Sequence, residues 1–304
     1  MTPLTRSALR SLLCLGALAA VNLAVVTHAS AFPGRGGPPK PPAPTCGSTT
    51  IYKANGTAWT CTFDDEFNGT SLDTSKWVPV VTANTGYHSG AECFVNSPNN
   101  ISESGGFLNL TARAEASPFT CSSPAGSYTT QYTSGSVTSG GKFSQTYGRF
   151  EVRAAFPAAT VAGLQSSLWL YPNNGTKYGA WPASGEIDIA EFYSQYPDRV
   201  IPYIHYVPAA PDPNVTNNAC YITPTALHSY AVEWSTSSMT VSFDGTVCLT
   251  DTWNPAAPLV SPQPFDQPFY VALTQALGIT GNAFSPDTTP LPATTQIDYV
   301  RVWK

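Results

Sequence analysis

The chain has 304 residues, a formal net charge of −5, and only 11% Asp, Glu, Lys and Arg. No basic patch offers itself to a nucleic acid, and no acidic run marks a solvated tail. With 28 prolines and 15 tyrosines, the length is ample for one large all-β domain.

Residues 1–31 read as a secretory signal. Arg6 and Arg10 supply the positive start, 12–26 the apolar core, and Ala29-Ser30-Ala31 the small-residue cleavage site. An uncleaved anchor is the alternative, but Asn22 interrupts an apolar run already short for a span. Cys14 follows Leu13 rather than a small residue, so the segment does not read as a lipoprotein signal. No later stretch is apolar enough to cross a membrane, so the expected product is secreted, extracellular and free of the membrane after cleavage. Residues 32–45, rich in Pro and Gly, form a polyproline-type tether. The folded domain is then 46–304.

Removing the signal leaves six cysteines, Cys46, Cys61, Cys93, Cys121, Cys220 and Cys248. An even count in an exported chain points to disulfides, with fifteen connectivities open. Pairing of sequence neighbours (46–61, 93–121, 220–248) is the expectation. No two cysteines have zinc-site spacing. Sequons at Asn55, Asn68, Asn100, Asn109, Asn174 and Asn214 matter only in a glycosylating host.

Alternating apolar segments recur at 107–112, 148–156, 165–171, 200–207, 230–235, 239–243, 269–274 and 296–303, between turn-rich stretches. Amphipathic helix patterns are nearly absent, so the chain reads as a β-sandwich or barrel. Trp77, Trp234 and Trp303 each close an apolar run and are assigned to the core; Trp59 and Trp253 stay open. On the 165–171 strand Trp169 and Tyr171 share a face, and Trp181 precedes the next strand. Flat rings of this kind stack on the CH-rich faces of pyranoses.

That next strand is the strongest signal. Glu186-Ile187-Asp188-Ile189-Ala190-Glu191 sets three carboxylates within six positions of a charge-poor chain. Acidic residues are depleted in strands, yet the isoleucines alternate strictly. Period two puts Glu186 and Asp188 on one face and the isoleucines on the other. Glu191 joins the first face only if one extra residue bulges the strand near Ala190. The two glutamate Cα atoms then lie roughly 13 Å apart, and their side chains can close that to the about 5–5.5 Å that a retaining glycosidase needs. Like charges this close share protons, which suits one carboxylate nucleophile beside one carboxylic acid. An acidic surface strand would store repulsion without return. A metal site lacks a His inside the cluster, and the flanking aromatics suit sugar better than an ion.

The sequence resembles glycoside hydrolase family 16, in its laminarinase-like endo-β-1,3-glucanase branch. The resemblance rests on Trp181-Pro182 followed by Gly185-Glu186-Ile187-Asp188-Ile189 and Glu191, on Asp65-Glu66-Phe67-Asn68-Gly69 with Trp77, and on 147–153, 228–234 and 297–303. It implies a concanavalin-like β-jelly-roll of two curved antiparallel sheets with a cleft across the concave face. It implies a polysaccharide substrate, a β-glucan, cleaved with retention. Glu186 would be the nucleophile, Glu191 the acid/base, and Asp188 a partner of Glu186; catalysis would need no cofactor. It places Glu151 and Arg153 in the cleft, with His205 on the strand after the triad. It also implies a structural Ca²⁺ held by the Asp298 carboxylate and the carbonyls of Glu66 and Gly106, and the domain is expected to be a monomer. Two departures fall near the expected substrate: Ala190 replaces the usual Met, and 273–278 differ from the usual Leu-Asn-x-Ala-Val-Gly-Gly. The rivals are a transglycosylase of the same family and a non-catalytic glucan-binding lectin.

Overall fold

The computed structural model describes residues 44–304; the expected signal and nearly all of the tether lie outside the described residues. In chain order the strands are β1 Cys61–Asp65, β2 Val78–Pro79, β3 Glu92–Phe94, β4 Ile101–Ser104, β5 Phe107–Cys121, β6 Tyr128–Ser134, β7 Ser136–Thr138 and β8 Gly148–Ala155. They continue with β9 Leu164–Pro172, β10 Glu186–Tyr193, β11 Ile201–His205, β12 His228–Trp234, β13 Met239–Phe243, β14 Thr246–Asp251, β15 Phe269–Leu277 and β16 Ala293–Trp303. One short helix, Thr82–Thr85, and a 3₁₀ turn, Thr280–Asn282, complete the described elements.

The strands form two sheets, as the jelly-roll expectation requires. Six strands in the order β11-β10-β9-β15-β7-β2 make one, and a ten-stranded sheet built on β14-β13-β12-β8-β16-β5-β6-β3 makes the other. All pairs are antiparallel except β3 with β6. The reason is visible in the alternation. Phe150, Val152 and Ala154 of β8, Tyr230, Val232 and Trp234 of β12, and Val300 and Val302 of β16 turn inward from the large sheet. They meet Leu168 and Leu170 of β9, Ile187 of β10, Ile204 of β11, and Val271 and Leu273 of β15 in one continuous core. Each such side chain contributes about 1.5–3 kcal/mol when fully buried.

Trp77, Trp234 and Trp303 are buried as expected, and Trp253 joins them against Phe265. Trp59 stays half-exposed under the Lys53 ammonium. The three disulfides are Cys46–Cys61, Cys93–Cys121 and Cys220–Cys248, the neighbour pairing. Closing the 15-residue interval alone is worth about 3 kcal/mol against the unfolded chain. The Asn100 sequon is unusable in the folded chain, because its amide is buried and bonded to Thr111 O and Thr133 Oγ1.

Behind β11, the Tyr206 hydroxyl donates to Asp212 Oδ2 at 2.5 Å, and the Asp212 carboxyl touches that of buried Asp251. Burial first, and then the Asp212 charge, push Asp251 up to about 7. A folded pKa above the unfolded one means that the protonated form stabilises. Its contribution is complete below about pH 4 and is lost as pH rises through about 7. Asp251→Asn keeps a donor towards Asp212 at every pH. Thermal scans are expected to show a smaller fall in melting temperature between pH 5 and 8 in this variant than in the parent; an identical fall would exclude the shared proton.

Candidate active site

Gly185 delivers the chain into β10 at φ 84, with the Phe265 ring 2.8 Å from where a Cβ would stand, so only glycine enters here without strain. From there the register carries the argument. Ile187 pairs with Leu170 and Asp188 with Trp169, and then Ala190, not Ile189, pairs with Leu168. Ile189 is the extra residue of a β-bulge, next to where the sequence called for one. Ile189 and Ala190 are both fully buried, and Glu191, opposite Ser167, turns back to the face of Glu186 and Asp188.

Each carboxylate has its own partners. Glu186 Oε2 accepts the Trp181 indole N–H at 2.7 Å. His205 lies directly across from Glu186 on β11, and its Nε2 is 3.0 Å from Asp188 Oδ2. Glu191 Oε1 accepts from the Gln165 amide at 3.0 Å and from Ser167 Oγ at 3.3 Å, and the Tyr193 phenol also supports this carboxylate. The His205 ring stacks on Tyr203 at 4.0 Å with Trp181 beyond it.

Burial raises all three acids. Glu186 is pushed to about 9 by desolvation first and the Asp188 charge second, against the pull of His205 and Trp181. Asp188 is raised well above its ordinary value by burial and by Glu191. Glu191 is raised by burial, opposed by its three hydrogen-bond donors. His205 is lowered, again by burial, against the charges of Glu186 and Glu191, which raise it. The triad therefore holds fewer charges than carboxyls and keeps protons at hand. Donor atoms of Glu186, Asp188 and His205 lie within 4.8 Å of one another, close enough for an ion, but each already has a protein partner.

Glu186 stands at one end of a groove of about 610 Å³ that crosses the six-stranded sheet from β10 to β2. Trp169, Tyr171 and Trp181 line it as expected, with Trp181 56% exposed. A large indole left so open has no core to serve and offers its face to a ligand. Tyr87 and Tyr270 line the groove too. Tyr270 sits opposite Tyr171 in the β15–β9 register and could be found by extending the alternation of β15; Tyr87 lies in a loop that carries no sequence signal. Gln165, Ser167 and Tyr193 were also missed, although they lie at even spacing from Trp169 and Glu191.

Several expectations need correction. Glu151 and Arg153 are not in the groove. Their strand, β8, belongs to the ten-stranded sheet, and its polar face points away from the core. There Glu151 bonds Arg149 and the Tyr299 hydroxyl, and Arg153 bonds Asp298. One departure from the laminarinase pattern lies away from the groove and the other borders it. Ala190 lies in the core, whereas Thr274, where the pattern has Asn, sits on the groove face opposite Ser167 and accepts the indole N–H of groove-lining Trp169 at 3.1 Å. The three residues expected to hold calcium all lie along β16 or beside the strands that pair with it. β16 pairs with β5 at Ile297–Leu108 and with β1 at Val300–Asp65, so Gly106 and Glu66 flank the Asp298 bulge. The carboxylate of Asp298 meets Arg153 through Oδ2, and that of Glu66 is held by Arg301 at 2.7 Å.

Comparison with known proteins agrees with this geometry. The family model described as glycosyl hydrolases family 16 matches residues 89–300. The chain is 34% identical over 267 residues to glucan endo-1,3-beta-glucosidase A1 of Niallia circulans, taking in 80% of this chain and 37% of that much longer protein. It is 30% identical over 260 residues to a beta-glucanase of Rhodothermus marinus, covering 81% of this chain and 85% of that one. Among solved structures, one from work on endo-acting O-glycanases of the human gut microbiota superposes with a TM-score of 0.69 at 29% identity, over 81% of this chain and 91% of the other.

Proposed function

This chain belongs to glycosyl hydrolases family 16, and from that membership and the triad we propose that it is a secreted, retaining endo-glycosidase of β-1,3-glucan. The observation that carries the reading is the Ile189 bulge, which turns Glu191 onto the face of Glu186 and Asp188. The polymer is chosen because the Niallia circulans relative is an endo-1,3-beta-glucosidase. Export is supported by three disulfides, which persist in oxidising compartments.

In this mechanism the substrate chain lies in the aromatic groove, with its rings stacked on Trp169, Tyr171 and Trp181. Glu186 attacks the anomeric carbon, and Glu191 gives its proton to the departing oxygen. Positive charge developing at that carbon favours the ionised form of Glu186, which Trp181 N–H also supports. The remaining protons are then held on its neighbours, where burial already favours them. His205 fixes Asp188 through Nε2 and so orients the carboxyl between the two glutamates. Water then attacks with Glu191 as base and releases the sugar from Glu186.

The test is the anomeric configuration of the first product, read by NMR from a panel of β-1,3-, mixed-linkage and galactan polymers. Fragments of retained configuration from β-1,3-glucan are expected. Inverted product would sink the mechanism, and tight binding without sugar release would favour a lectin. We also propose that Asp298, with the carbonyls of Glu66 and Gly106, holds a structural Ca²⁺ that ties both ends of the domain. A chelator is then expected to lower the melting temperature, and an unchanged one with no calcium on elemental analysis would exclude the site.

A further inference from the structure

A cavity of about 350 Å³ opens between the 217–222 loop and the β13–β14 hairpin. β14 ends one side of the large sheet and β11 one side of the small sheet, and the two strands meet on this flank of the sandwich. Its described lining shares no residue with the aromatic groove. The inner end reaches Phe243 and the Cys220–Cys248 disulfide. Tyr221, 65% exposed, and Val247, 60% exposed, frame the mouth, and neither side chain belongs to the core.

The Tyr221 ring is held from behind. Its backbone pairs with that of Arg199, where Val200 N–H donates to Cys220 O at 3.3 Å and Ile222 N–H to Asp198 O at 3.0 Å. The Arg199 guanidinium lies 4.5 Å from the ring centre of Tyr221. That guanidinium is itself fixed. Nε and Nη2 donate to the two Asp198 carboxylate oxygens at 2.8 and 3.0 Å, and Nη1 donates to Asn218 O at 3.0 Å. Across the cavity the disulfide ties the loop to β14, and Asn217 Nδ2 donates to Cys248 O at 2.6 Å. The exposed part of the tyrosine is thus turned to solvent on a rigid base. Charges nearby are already matched. Among the described lining residues Asp244 alone is charged, and His228 Nδ1 at 2.6 Å and the Ser229 N–H at 2.8 Å engage its carboxylate. An ionic ligand finds no free counter-charge here, whereas a neutral pyranose finds a flat ring, an apolar wall and the Thr246 hydroxyl.

We propose that this flank cavity is a second glycan-binding site, outside the catalytic groove, in which a sugar of the polymer stacks on Tyr221 against Val247. That the polymer is β-1,3-glucan rests on the glycosidase reading. Segment 198–200, which carries Arg199, runs directly into β11, the strand whose His205 stands across from Glu186. A polymer held on the flank therefore stays beside the enzyme while a bond in it, or in a neighbouring chain of the same particle, is cleaved. Such tethering raises the local concentration of a long or insoluble substrate and does nothing for one too short to reach both places. The flank selects the physical form of the polymer, and the triad performs the reaction.

Tyr221→Ala tests the site, at an exposed position where folding is not at stake, and Tyr221→Phe, which keeps the ring, is its control. Retention on particles of insoluble β-1,3-glucan is measured in the Glu186→Ala background, where the polymer is not consumed. Tyr221→Ala is expected to raise the dissociation constant at least about fivefold, the order of one lost stacking contact, and Tyr221→Phe to stay within about twofold. With Glu186 restored, Tyr221→Ala is expected to hydrolyse the particles about threefold more slowly and a soluble β-1,3-linked tetrasaccharide at the parent rate. Unchanged retention, or a loss on the tetrasaccharide equal to that on the particles, overturns the flank site while leaving the glycosidase reading intact. A parent enzyme that cleaves no β-1,3-glucan removes that reading, and the polymer assigned to the flank falls with it.

Discussion

Replacing Glu186 by alanine is expected to lower polymer turnover by at least about 10⁴-fold, the order seen when a nucleophile is removed. Replacing Glu191 is expected to cost about 10²–10⁴-fold, the usual range for a general acid. Both variants should keep the parent fold by circular dichroism, because neither side chain belongs to the apolar core. Small nucleophiles then separate the two roles. With Glu186 gone, azide attacks an activated glycosyl fluoride from the open side and gives product of inverted configuration. With Glu191 gone, azide intercepts the glycosyl enzyme and gives a retained one. The same azide product from both variants, or alanine variants as active as the parent, would reverse or remove these assignments.

Glu92→Ala is expected to destabilise the domain by about 3 kcal/mol or more, at about 1–3 kcal/mol for each buried donor left unpaired. Glu92 is fully buried in β3, away from any arginine or lysine partner in its hydrogen bonds. Its Oε1 accepts the backbone N–H of Ser89 at 2.8 Å, and its Oε2 those of Gly90 and Leu277, each at 3.1 Å. Burial raises its pKa, and these donors act against that rise. The carboxyl thereby clips the loop that carries Tyr87 to the end of β15, and Tyr87 itself stacks on Phe94 at 5.5 Å. A fall of about 6–12 °C in melting temperature follows from that loss in a domain of this size. Glu92→Gln, which keeps one acceptor oxygen, should lie between the two. A loss below about 1 kcal/mol in urea titration would mean that water replaces the carboxylate.

The triad and its bulge were legible because chemistry and alternation disagreed at one place, and only an extra residue reconciles them. The strands with apolar alternation were legible for the same reason; the 239–243 prediction matches β13 end for end. β6 and β7 were not, since they bury hydroxyls instead of hydrocarbon. Ser134 donates to Gln275 O, and Ser136 and Thr274 share a hydrogen bond of 3.0 Å. Polar residues satisfied in that way leave no hydrophobic period to read. Glu151 and Arg153 show the other limit. Period two assigned them to one face of β8 correctly, but which of two stacked sheets holds a strand is decided by its neighbours, β12 and β16, distant in sequence.

The unpaired Ile189 makes the active site depend on a count as well as on residue identities. Deleting that one residue would leave every carboxylate in the chain and restore an unbroken ladder from Glu186 to Tyr193. Glu191 would then stand two steps from Asp188, still opposite Ser167 and still on the face of the other two carboxylates. Straightening the strand with all its residues kept would instead send Glu191 towards the core in exchange for an apolar neighbour. A reading-frame-preserving loss of three nucleotides at Ile189 thus keeps the triad together, whereas loss of the bulge alone scatters it. Chains that match this one in composition and differ by one residue in this strand should be aligned by spacing before any activity is assigned to them.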